Sequence, residues 1–407
     1  MYKEPIKLVD DTRRCSGCGA CMTVCAHQAI RMVEDSRGCK YPVIDDRVCV
    51  GCGRCRQVCS YHKPGTARAS QKAYAAYGID TGLVKRSASG GMFASLAMSW
   101  LRAGGLIAGA VMDVDDGVQV YHILSGKAED VSRMQGSKYV HSDAWRCYGD
   151  VLAMLRSGRQ VLFSGTPCQV AAVKALSGDP DNLTTIDLIC HGVPPAAMLD
   201  DYVKLLGKRL HGRVEGLSFR DKSISRDFCA RIDVRRGKKR RSYYLRSGIL
   251  SFYKYFLQGM TYRDNCYTCP YARMERVSDV TIGDYWGIEK QHGEDIRAGR
   301  MPERKDWSCV LANTEKGQRL LDAHAGEIVT YASQAEWIAR ENHQLQHPTA
   351  EPEGRSALIR RYRKDGYAGV EADFMRQCGG KLRYHFRLYR QVRENDKARK
   401  TNEGSAT

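Results

Sequence analysis

From Tyr74 onward, short apolar runs alternate with amphipathic stretches. Residues 160–165, QVLFSG, predict a buried strand that ends in a glycine turn; QVAAVKAL from Gln169 predicts a helix; TIDLIC from Thr185 predicts a second strand running into HGVPP. The apolar stretch from Gly90 to Val114 carries Arg102 and Gly104-Gly105 in its middle. It divides into a helix reaching about Ala103 and a buried strand from Leu106, so no membrane span is expected. Residues 231–246 alternate on either side of Gly237 and predict a β-hairpin. The segment from Arg360 to Lys400 predicts a basic amphipathic helix. Strand, turn, helix and strand again make an α/β architecture whose ligands sit where strands end. No GxGxxG fingerprint follows any strand, which disfavours an ordinary dinucleotide-binding site.

Ahead of this pattern stand two copies of one cysteine spacing. Cys15, Cys18, Cys21 and Cys25 form the first, and Cys49, Cys52, Cys55 and Cys59 the second. A 4Fe-4S cubane needs four thiolates, and a loop with a cysteine at every third position supplies three of them. By the two-cluster ferredoxin pattern, Cys15, Cys18 and Cys21 take Cys59 as their fourth, and Cys49, Cys52 and Cys55 take Cys25. A zinc ribbon fits poorly, because zinc closes its shell with two ligand pairs, whereas here two matched quartets are interleaved with Gly17, Gly19, Gly51 and Gly53. Disulfides fit less well still, since residues 1–14 contain no apolar leader core. Ala26 and Ser60 stand where proline usually follows the fourth cysteine, which loosens the turn and removes no ligand.

A chain of 407 residues is far longer than a ferredoxin, so residues 1–69 form a two-cluster domain ahead of something larger. Of 17 cysteines nine lie beyond the two motifs, more than packing requires, and some of them should bind metal. The formal charge of +18 concentrates in residues 231–246 and in the tail. The hairpin reads either as a solvated surface or as a docking patch for an acidic ferredoxin-type carrier or the polyanionic tail of a hydride carrier. The tail reads as a solvated helix or a peripheral membrane contact. No reader motif accompanies the charge, so nucleic acid is not expected as a partner.

Seven segments then occur in order: KRSASGGMFASL, QGSKYV, VLFSGTPCQVAAV, LICHGVPP, LSFRDK, CYTCPYA and SDVTIGDYWGIE. Over roughly residues 70–300 the chain resembles the coenzyme F420 (deazaflavin) hydrogenase/dehydrogenase beta-subunit family, in its long form with an N-terminal two-cluster module. The resemblance implies FAD and iron–sulfur clusters in one protein, and a hydride carrier such as a deazaflavin as partner. It implies a fold that is α/β, α+β overall: a small ferredoxin-like domain fused to a larger flavin and iron–sulfur domain over 70–345, divided near 150, with a basic tail over 346–407.

The residues carry their own argument for the cofactors. Ser87, Ser89, Gly90 and Gly91 precede a helix, so hydroxyls and backbone amides would meet a phosphate at its positive end. Ser137 and Lys138 offer a hydroxyl and a cation, and Thr166 and Gln169 lie at a strand's end, where a cofactor ring would sit. Cys266 and Cys269, followed by Pro270, form another ligand pair; with Cys168 and Cys190, each just past a strand, they could complete a third 4Fe-4S cluster. Cys39, Cys147, Cys229, Cys309 and Cys378 read as packing residues, Asp279 and Asp284 as turn residues, and His191 as structural; no catalytic residue is assigned.

Clusters pass one electron and hydride carriers two, and a flavin does both. The expected function is therefore that of a cytoplasmic iron–sulfur flavoprotein oxidoreductase, converting between the two kinds of carrier. The alternatives are a ferredoxin-dependent reductase of an organic substrate such as a sugar or a pigment-like ring, and a non-catalytic electron-transfer subunit serving a partner subunit.

Overall fold

The computed structural model describes residues 8–224, 228–304 and 306–404. Among these described residues thirteen strands form three sheets: β1 (Ile30–Glu34), β2 (Lys40–Ile44), β3 (Lys72–Gly78), β4 (Leu106–Asp113), β5 (Gln119–Ser125), β6 (Val161–Gly165), β7 (Leu183–Leu188), β8 (Arg213–Ser218), β9 (Cys229–Arg236), β10 (Lys239–Arg246), β11 (Val280–Asp284), β12 (Ser308–Ala312) and β13 (Ile328–Ser333). The main sheet has the order β13-β3-β12-β11-β7-β6-β4-β5. Its centre is parallel: β4 pairs with β6, β6 with β7 and β7 with β11. Antiparallel strands flank it, β5 on one side and β12, β3 and β13 on the other.

The parallel strands form where apolar runs are uninterrupted. β6 is buried along its whole length, as a strand covered on both faces must be. The helix Pro167–Ser177 begins at once because Thr166-Pro-Cys-Gln169 is a capping box with proline at its first turn; the Thr166 amide donates to Gln169 Oε1 at 2.9 Å. The stretch from Gly90 divides as expected, into the helix Met92–Arg102 and β4.

Between β7 and β11 the chain leaves the sheet and builds a second layer. The helix Ala196–Arg209, the sheet β10-β9-β8 and the helix Ser251–Leu257 share one core with the C-terminal helices Arg355–Gln377 and Lys381–Gly404. This corrects the expectation of a solvated or membrane-lying tail. Tyr367, Phe374, Tyr384 and Leu388 are buried against Tyr202, Leu206 and Phe252, and Arg209 pairs with Glu371 inside the layer. The basic residues between them face outward, which is why the segment reads as a surface helix in isolation. The hairpin forms as expected: β9 and β10 join through a two-residue loop whose Gly237 has a φ of +58°.

The N-terminal module docks onto both layers. A Cβ at Gly19 would lie 2.7 Å from Trp145 Cβ, and one at Gly38 2.4 Å from Ala197 Cβ, so the glycines permit close approach. Lys40 pairs with Asp143 at 2.6 Å, and Arg37 with Asp264 at 2.6 Å. Among the described residues no helix is long and apolar enough to cross a membrane.

Candidate functional site

The two cysteine loops are built alike. Gly17 and Gly19 in the first, and Gly51 and Gly53 in the second, all take positive φ between +67° and +76°, a conformation that side chains resist. Each second glycine then starts a one-turn helix, Ala20–Thr23 or Arg54–Gln57, carrying the third cysteine. Cys15, Cys18, Cys21 and Cys59 line one small void. Burial raises the pKa of Cys55, with Cys52 and Cys49 adding to it, and Cys25 packs against the small core of Leu8, Ile30 and Cys55. Cys52 is exposed, which makes this second quartet the outer one.

Cys168, Cys190, Cys266 and Cys269 line a second small void, together with Ser16. Cys168 comes from the first turn after β6, Cys190 from the loop after β7, and Cys266 and Cys269 from the turn Asp264–Thr268 and its end. Burial pushes the thiols of Cys15, Cys18 and Cys168 up to about 11 and that of Cys190 up to about 12. Such thiols are poor nucleophiles, and a cationic core placed among them is what would deprotonate them. Among the described residues no three His, Cys, Asp or Glu side chains are grouped as ligands of a single metal ion. A cubane asks for something else, four thiolates around a void, each on its own iron. Ser60 fits that need: its hydroxyl lines the inner void, is buried, and has no hydrogen-bond partner, so it is available to a cluster sulfur.

Beyond the second void opens a cavity of about 300 Å³ at the carboxyl ends of β6, β7 and β11, the position that open α/β sheets use for ligands. Seven of the eight residues expected to contact a cofactor line it: Ser87, Ser89, Gly91, Ser137, Lys138, Thr166 and Gln169. Many of their polar atoms are engaged in its walls. Ser87 donates to Leu83 O at 2.9 Å, Ser89 to Trp307 O at 2.7 Å, and Gln169 Nε2 to Ser142 O at 3.0 Å. Lys138 is half-buried and donates to the carbonyls of Met134, Gln135 and Gly136. Burial, helped by Arg133, pushes its ammonium down to about 7, while those carbonyls favour its charge.

Gly90 is the eighth, and its glycine answers a different need from the one expected. A Cβ there would lie 2.8 Å from Ala76 O, and the Gly90 amide already donates to Ser308 Oγ at 3.0 Å. The close approach is therefore to β3 and β12. Amides at the start of the helix Met92–Arg102, with Gly91, Met92 and Phe93 lining the cavity, are the donors that face it.

Residues 158–336 match the C-terminal region of the family described as coenzyme F420 hydrogenase/dehydrogenase, beta subunit, and residues 14–63 match the 4Fe-4S dicluster domain. The chain thus carries the C-terminal region of the coenzyme F420 hydrogenase/dehydrogenase beta-subunit family behind a 4Fe-4S dicluster domain. An uncharacterized protein of Methanocaldococcus jannaschii is 25% identical over 362 residues, covering 78% of this chain and 88% of its own. A solved chain from the F420-reducing NiFe hydrogenase complex of Methanosarcina barkeri overlaps 72% of this chain and 93% of its own, with 15% identity and a TM-score of 0.43.

In this beta-subunit relative several cavity residues escaped the sequence reading. His122 on β5 stacks on Phe163, with ring centroids 5.4 Å apart, and burial pushes it down to about 4, so it is neutral. Its Nε2–H donates to Ser164 O at 3.0 Å, and its Nδ1 accepts from Ser142 Oγ at 3.2 Å. Arg220 and Lys222, inside LSFRDK, brace the serine loop: Arg220 donates to Ala88 O at 3.2 Å and Lys222 to Ser89 O at 2.6 Å. Arg220 also pairs with Asp284 at 3.0 Å and lies over Phe228. Asp279 behaves as a structural residue, accepting from Thr185 Oγ1 at 2.6 Å and Thr314 Oγ1 at 2.9 Å.

Proposed function

We propose that this chain is an iron–sulfur flavoprotein oxidoreductase that passes electrons between one-electron, ferredoxin-type carriers and a two-electron hydride carrier. In this reading residues 1–69 form the dicluster domain and the rest forms the flavin domain, to which the C-terminal helices belong. One observation carries it: the three voids lie in series and share walls. Ser16 lines both the inner void and the Cys168 void, and Thr166, Cys190, His191, Gly192 and Val193 line both the Cys168 void and the large cavity.

The inner quartet would be held by Cys15, Cys18, Cys21 and Cys59, the outer by Cys49, Cys52, Cys55 and Cys25, and a third by Cys168, Cys190, Cys266 and Cys269. FAD would be held by the start of the helix Met92–Arg102, by Ser137 and Lys138, and by the loop after β6. When bound, FAD supplies exchange of electrons singly with clusters and in pairs with a hydride carrier. The chain's own residues do the rest. Burial of the two inner thiol quartets excludes water, the neutral His122 holds the Ser142 and Ser164 wall in place, and Arg220 and Lys222 fix the serine loop.

The test uses the full chain, reconstituted anaerobically with iron, sulfide and FAD and reduced with one-electron donors. Adding coenzyme F420 or NAD is expected to reoxidise the clusters only in the FAD-loaded protein. A chain that binds no flavin, or that reduces the acceptor equally without it, refutes the reading.

A further inference from the structure

Arg263 is one of the largest fully buried side chains of the protein, 1% exposed. Among the described residues it makes no ion pair with a carboxylate. Its neighbour Asp264 turns away to Arg37 and Arg355. A buried guanidinium without a counter-charge costs several kcal/mol, so the fold must supply one.

Its surroundings show where. The Arg263 backbone amide donates to Val193 O at 2.9 Å, in the loop that follows Cys190, and its carbonyl accepts from the Cys266 amide at 3.0 Å. The side chain reaches the other way. Nη2 donates to Cys15 O at 3.4 Å and to Lys40 O at 3.0 Å, and a Cβ at Gly17 would lie 2.8 Å from it. The guanidinium also lies over Tyr41, 4.8 Å from the ring centroid. Every polar partner in this set is neutral, and the residue stands between the thiol quartet of Cys15 and that of Cys266.

We propose that Arg263 is the shared counter-charge of two clusters, held by Cys15, Cys18, Cys21, Cys59 and by Cys168, Cys190, Cys266, Cys269, and that it sets their reduction potentials above the outer cluster's. The proposal rests on the cluster assignments above. A thiolate-ligated cubane is anionic and gains another negative charge on reduction, so a fixed cation in a low-dielectric site favours the reduced form. The outer quartet, with exposed Cys52, is screened by water instead. Electrons arriving at the exposed end would then run inward toward the cavity.

The experiment is an EPR-monitored dithionite titration, with mediator dyes, of the anaerobically reconstituted full chain and of R263Q and R263K, each with iron and sulfide analysis. R263Q is expected to keep its iron and to lose at least tenfold in the reduction equilibrium of one or both inner clusters, a drop of about 59 mV for a one-electron couple. The outer cluster should not move, and R263K should stay near the parent. Full iron with unchanged potentials in R263Q overturns the proposal, as does an equal drop in R263K. If R263Q fails to assemble, R263K decides: full iron with parental potentials supports the charge, and lowered potentials or lost clusters overturn it. A parent with about eight irons, for two cubanes, refutes the third-cluster assignment separately, and the Cys15 cluster then still reads the effect of Arg263.

Discussion

Removal of the Asp264 carboxylate should loosen the joint that holds the dicluster domain to the rest of the chain. Asp264 accepts from Arg37 Nη1 at 2.6 Å and Nη2 at 2.8 Å, from Arg355 Nη2 at 2.6 Å and from Thr12 Oγ1 at 2.7 Å. One carboxylate thus joins the N-terminal module, the first C-terminal helix and the turn that bears Cys266. The side chains of Arg37 and Arg355 are 6% and 8% exposed and that of Asp264 is 18% exposed, so water screens little of this. Replacing Asp264 by alanine leaves two buried cations facing one another, each with one carboxylate left, Asp35 for Arg37 and Glu351 for Arg355. Breaking a buried pair from one side costs about 3–5 kcal/mol, and the partial exposure of Asp264 places this site near 3 kcal/mol. At roughly 2 °C per kcal/mol for a large domain, the melting temperature should fall by about 6 °C. The exposed linker at residues 62–66 should be cut faster by trypsin or thermolysin. The control is Asp45→Ala, whose partner Arg47 lies 2.8 Å away with its side chain 89% exposed, and which should cost less than about 1 kcal/mol. If Asp264→Ala and Asp45→Ala melt and are cut alike, the carboxylate is not the joint.

Much of this architecture was visible in the chain because it is local. The C-x2-C-x2-C spacing fixes a loop that needs no distant partner, and its glycines adopt the positive φ that such a loop demands. The strand of residues 161–165 and the capping box after it lie next to one another, so periodicity and cap chemistry agree. What escaped depends on residues far apart in sequence. Gly90 is required by Ala76 and Ser308, which no phosphate-loop pattern encodes. Arg263 sits in an ordinary TYRDNC segment and becomes a buried cation only when Cys15 and Lys40 are folded against it. The C-terminal helices look solvated because ten arginines are spread along them. Yet the apolar positions that are present, Tyr384, Leu388 and Val392, fall four apart and close the second core.

Three further outcomes are expected. Cys266→Ser should remove about four irons per chain, the content of one cubane, and leave the dicluster domain loaded; unchanged iron and sulfide would end the third-cluster reading. In the hairpin, Arg235 and Arg240 are both paired with Glu215, and Arg241 with Asp396, while Arg236 is held by Leu210 O and Tyr243, so the freest charges are Lys238 and Lys239 at the tip. Reversing those two lysines to glutamate should slow reduction by an acidic ferredoxin and flatten its salt dependence, with dithionite reduction unaffected; an unchanged salt dependence makes the hairpin a solvated surface. Last, FAD binding should depend on pH through Lys138. Burial lowers its pKa from 10.5 to about 7, so above pH 7 the flavin-free cavity holds a neutral amine. A diphosphate placed beside it restores the charge, and binding then takes up a proton. The sign follows: affinity should be level below pH 7 and weaken by up to about tenfold for each unit above it. Lys138→Met should bind FAD more weakly at pH 6 and show no such slope. Fluorescence titration of FAD between pH 6 and 9 measures both, and a slope shared by parent and variant would mean that the lysine never meets the phosphates.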